Sequence, residues 1–204
     1  MSASRIKPAI QGHLDGACGF YAIVNAIHLL EPEIPQQELF NIAISTFIQD
    51  GNPMAFIEGT NRGTIKNVLS RLLDYIHSNY DLTDNTTNEP YRIKFSIPYW
   101  NKDKQRSRQD VIDALSQANY RKGTVCILGF EMNDGDELDY AHWTVIKGFK
   151  DGRFNTHDSS GEAKKIDIDI IRVDSQQLKN SQRPYNFLSD DIFVIERVVD
   201  KTKI

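Results

Sequence analysis

The chain has 204 residues, 40% of them apolar and 25% charged, with a formal net charge of −4. That is the composition of an ordinary globular protein with its own core. The slight acidic excess argues against a nucleic-acid partner, which calls for a basic surplus. Two cysteines, Cys18 and Cys126, are too few for a disulfide scaffold and show no zinc-type spacing, so a reducing compartment is expected.

The first residues, MSASRIKPAIQGHLDG, hold no apolar stretch of the secretory kind. No apolar run approaches the roughly 20 residues that cross a bilayer. The expectation is a cytoplasmic protein without a membrane partner, with export by a route lacking an N-terminal signal left open.

In chain order, ACGFYAIVNAIHLL (17–30) is apolar almost all round, as a central buried helix is. Pro32 and Pro35 end it, and Pro35 suits the first turn of a second helix carrying Leu39, Ile42, Ala43 and Phe47 on one face. DGNPMAFIEGTNRG reads as a loop. A third helix has Ile65, Val68, Leu69, Leu72, Leu73 and Ile76 as its stripe, with Thr64 as N-cap. DLTDNTTNEP is a polar loop.

The period then changes to two at Tyr91, Ile93, Phe95, Ile97 and Tyr99, a strand. The run Lys102 to Arg108 is a solvated loop, and a short helix capped by Ser107 follows. GTVCILGF and AHWTVIKGF are strands on either side of the acidic turn EMNDGDELD. Asp151-Gly152 marks a hairpin into RFNTHDS. KKIDIDI is a further strand or a turn into one, and DDIFVIERVV closes the chain as a strand. Helices first and mostly antiparallel strands later predict one α+β domain over 1–204, with a helical part at about 1–85 packed on a sheet part at about 90–200.

The chemistry centres on DGACGFYAIVNAI. Cys18 stands between glycines at the expected start of the buried helix. There the helix dipole and open N–H groups favour an anionic sulfur, and the apolar residues behind it hold it rigidly. Cys126, inside TVCILGF, reads as core. His142 opens the strand AHWTVIKG, a firm and accessible mounting for a base. Pairing of 142–149 with 152–158 brings Asp158 toward it, though a slip of one residue would present His157 or Asn155 instead. Gln11, seven residues before Cys18, can offer its amide to a developing oxyanion together with the Cys18 N–H.

Gln11, GACGFYAIVNAI, AHWTVIKG and the Asp158-Ser159 pair, in this order, resemble the papain-like cysteine peptidases. The closest similarity is to the compact bacterial branch that includes bacteriocin leader peptidases. The resemblance implies a papain-like fold, with a central nucleophile helix packed on an antiparallel sheet. It implies Cys18 as nucleophile, His142 as base, Asp158 as its orienter and Gln11 as oxyanion donor, acting on a protein or peptide substrate without cofactor or metal. The same fold family hosts deamidases and transglutaminases, and degenerate members that only bind, so both remain alternatives.

Overall fold

A computed structural model describes residues 7–8, 17–50, 59–100, 106–132, 140–161, 164–175 and 182–201. The helices are α1 (Cys18–Leu30), α2 (Gln36–Asp50), α3 (Arg62–Asn79) and α4 (Arg108–Tyr120). The strands are β1 (Tyr91–Ser96), β2 (Thr124–Met132), β3 (Tyr140–Lys150), β4 (Arg153–Thr156), β5 (Lys165–Asp167), β6 (Ile171–Val173) and β7 (Tyr185–Val199). Among the described residues they form one sheet in the order β1-β7-β2-β3-β4-β5, with β6 beside the start of β7. Every pairing is antiparallel except β6 with β7. The class is therefore α+β, with a mostly antiparallel open sheet.

Helices cover both faces of that sheet. On one face Phe20, Ile23 and Ile27 of α1, with Leu39 of α2 and Leu69 of α3, meet Val125, Ile127, Trp143, Val145 and Phe193. On the other, Val111, Ile112 and Leu115 of α4 meet Cys126, Leu128, Phe130, Ile146 and Phe154. The odd residues of β2 thus face α1 and the even ones face α4. A strand buried on both sides needs an unbroken apolar run, which is why TVCILGF shows no alternation. α1 is apolar around its circumference for the same reason: sheet lies on one side, α2 and α3 on the other.

Local signals explain most element ends. Ser107 accepts from the Asp110 N–H, and the Asp110 side chain accepts from the Ser107 N–H, a complete capping box. Asp151 (φ 52°) and Gly152 (φ 71°) both adopt the left-handed region that a two-residue hairpin turn demands. The polar loop 81–90 is tied by Asp84, whose carboxylate accepts from the Thr86 and Thr87 N–H groups at 2.8 and 3.1 Å.

Two expectations about element ends are corrected. Helix α3 is capped by Asn61, not Thr64: the Asn61 Oδ1 accepts from the Thr64 N–H at 3.0 Å, which places Thr64 inside the first turn. The last strand begins at Tyr185, before the apolar run that suggests it. Its early polar residues are satisfied by neighbours distant in the chain, as where Asn186 donates to Glu131 at 2.9 Å and accepts from the Ser175 N–H at 3.0 Å.

Candidate active site

Cys18 is the first residue of α1. The Ala17 carbonyl accepts from the Phe20 and Tyr21 N–H groups at 2.8 and 3.1 Å, which fixes the entry of the chain into the helix. The N-cap residue, Ala17, makes no side-chain cap bond, and the first turn of the helix holds no acidic residue. The positive pole of α1 is thus directed at the Cys18 sulfur without a competing carboxylate on the same turn. Cys18 is only 7% exposed, so its sulfur is held in a partly desolvated setting.

Gly19 is required by close approach. A Cβ there would overlap the Thr60 hydroxyl and the Ile65 side chain, both buried. The segment before α3 therefore lies directly on the first turn of α1. Gly19→Ala gains up to about 1 kcal/mol of helix propensity but forces this contact apart, at roughly 1–3 kcal/mol. The expected result is a lower denaturation midpoint together with altered Cys18 reactivity. Unchanged values of both would show that the segment yields freely.

His142 and Asp158 come together on adjoining strands. The His142 Nε2–H donates to Asp158 Oδ1 at 2.8 Å, with both residues buried. The register explains how. Phe149 lies opposite Phe154 and Gly148 opposite Asn155, but Ile146 lies opposite Thr156, so Lys147 is an extra residue. Had the pairing run on evenly, Asp158 would fall opposite Val145, on the Trp143 face. The one-residue bulge instead carries it opposite Thr144, on the face shared by His142. His157 and Asn155, the other candidates for this role, do not reach His142. The His157 N–H continues the ladder to the Val145 carbonyl at 2.7 Å, and its Nδ1 accepts from Lys147 Nζ at 3.3 Å.

The Asp158 carboxylate is oriented from its other side. Oδ2 accepts from the Ser160 N–H at 3.1 Å and from the Ser160 hydroxyl, an Asx turn built into the DSS sequence. The imidazole is braced as well. The Phe130 ring meets it edge-on at 5.6 Å between centroids. The next residue, Trp143, donates through Nε1 to the Thr60 carbonyl at 2.8 Å. Trp143 and Thr60 thus join the strand bearing His142 to the segment that covers Gly19.

Electrostatics follow the geometry. Burial disfavours a charged His142, but hydrogen bonds to Asp158 and Cys18 outweigh it and push its pKa up to about 9. With Nε2 committed to Asp158, Nδ1 is the nitrogen left for Cys18. Burial would likewise raise Asp158, yet the His142 imidazolium and the Ser160 hydroxyl bring it below the ordinary carboxylate value. Burial lowers His157 to about 4, with Lys147 adding to the effect, so it is neutral near pH 7. Cys126 is core: burial pushes its thiol up to about 12.

Of the residues singled out in the sequence, Cys18, His142 and Asp158 converge. Gln11 lies outside the described residues. Thr60, Ser160 and Phe130 were not anticipated. Ser160 carries a local signal, a serine two places after an aspartate, whereas Thr60 and Phe130 reach the site only through tertiary packing. No group of three or more metal-ligating side chains occurs among the described residues, and no described helix is long and apolar enough to cross a membrane. No protein-family model matches the chain, and no curated protein matches it.

Proposed function

We propose that the chain is a papain-like cysteine peptidase or isopeptidase. The observation that carries this reading is a single imidazole, His142, bonded through Nε2 to a buried carboxylate and interacting on its other side with a cysteine at the start of a buried helix. Two distant parts of the chain supply these groups, the start of α1 and the β3–β4 hairpin with the residues that follow it. A histidine placed only for packing has no need of two such partners at once.

The steps use only these residues. The Cys18 sulfur attacks the carbonyl carbon of a peptide or isopeptide, forming an S–C bond and an oxyanion. The Cys18 N–H, at the positive end of α1, faces that oxygen, and Gln11 is the candidate second donor. The oxyanion collapses, the C–N bond breaks, and His142 Nδ1–H protonates the departing amine. His142 then takes a proton from water, which attacks the thioester, breaks the S–C bond and releases the acid. Asp158 keeps the imidazole in one tautomer and supports its positive form throughout.

Mass spectrometry of a peptide and isopeptide library after incubation tests the proposal. Two fragments that together have gained one water, lost on Cys18→Ala, are the expected result. An uncut chain whose glutamine amide has become an acid would replace the peptidase with a deamidase. No change in any substrate, with no Cys18 adduct from a thiol-reactive peptidyl probe, would favour a binding module.

A further inference from the structure

Behind Asp158 lies a cavity of about 730 Å³ whose lining includes Lys7, Lys147, Lys164, Lys165, His157 and Asp158. Neither Cys18 nor His142 lines it. The charge is unusual for this chain. The protein as a whole has 24 lysines and arginines against 28 aspartates and glutamates, yet this concavity has four lysines and one carboxylate among its described lining residues. That carboxylate is already engaged, through Oδ1 with His142 and through Oδ2 with Ser160. Four lysines in the lining of one hollow make it locally basic, and that charge favours a bound anion.

The hollow is built by the fold. Lys147 is the extra residue of the β3 bulge, so the irregularity that turns Asp158 toward His142 also sets Lys147 against His157. Lys165 opens β5 and Lys164 immediately precedes it, while Lys7 lies near the N-terminus, its carbonyl accepting from Gln36 Nε2 at 2.9 Å. The volume falls within the range of about 300–1,000 Å³ that takes a small molecule, and it is too small for a folded partner.

We infer that this pocket is a binding site for a small polyanion bearing adjacent phosphates, separate from the Cys18 site and sharing only Asp158 with it. The inference is independent of the proposed peptidase activity, because its readout is binding.

Isothermal titration of the full chain with inorganic tripolyphosphate at low salt tests it. Saturable one-to-one binding is expected, equally in the Cys18→Ala protein. The double variant Lys147→Gln/Lys165→Gln should weaken it by at least about tenfold, while Lys94→Gln/Lys122→Gln, exposed lysines elsewhere, should leave it within about twofold. All four exchanges are at exposed positions, and a thermal melt checks that each variant is folded. Absence of saturable binding by the wild type, or equal weakening by both double variants, would overturn the assignment.

Discussion

Cys18→Ala is expected to abolish covalent labelling of this position and to reduce hydrolysis to background, a loss of several orders of magnitude typical of removing a nucleophile. The fold should survive. The substitution removes one sulfur from a residue at the edge of the core, and alanine is the best helix former, so a stability change within about 1 kcal/mol is expected. Activity measured beside a thermal melt separates the two effects. Residual turnover above about one per cent of wild type would place the nucleophile elsewhere.

The second large effect concerns His142 and its carboxylate. His142→Ala should cut turnover by roughly 10²–10⁴-fold, the usual contribution of a general acid–base. Asp158→Ala should fall between His142→Ala and wild type. Asp158→Asn should be milder, because its amide oxygen still accepts from His142 Nε2–H. The same exchange removes the charge that supports the imidazolium, so it should move the titration of His142, observed by NMR, down from about 9 toward the ordinary 6.5.

Linkage gives a sign for stability. The His142 pKa is raised on folding, so its contribution is complete below about 6.5 and is lost as pH rises through about 9. Asp158 is depressed below 3.8, so its contribution is present above that value and is lost as pH falls through its lower folded pKa. Denaturation midpoints of wild type and Asp158→Asn should therefore converge between pH 6.5 and 9. Parallel curves across that window would deny the coupling.

What could be read from the sequence divides by range. The central helix, the Ser107 cap and the Asp151-Gly152 hairpin depend on contacts within a few residues, and they stand where periodicity and turn chemistry put them. Cys18 and Cys126 could be told apart because one sits between glycines at a helix start and the other within an unbroken apolar strand. The choice of Asp158 over His157 and Asn155 could not be decided from sequence. It turns on a bulge at Lys147, and a bulge is a property of two strands in register. β6 was missed as a parallel neighbour of β7 for a similar reason: its three residues pair with the polar start of β7, which carries no strand period of its own. Thr60 touches Gly19 through packing that no local pattern announces.

The central claim is that His142 activates the Cys18 sulfur, and the pH dependence of alkylation tests it most directly. Iodoacetamide modification at pH 6.5, located by peptide mass, should occur at Cys18 and spare the buried Cys126, whose thiol is pushed up to about 12. His142→Ala should slow the Cys18 reaction by at least about tenfold at that pH, with the difference narrowing toward pH 9. Equal rates in the two proteins across the whole range would contradict the account.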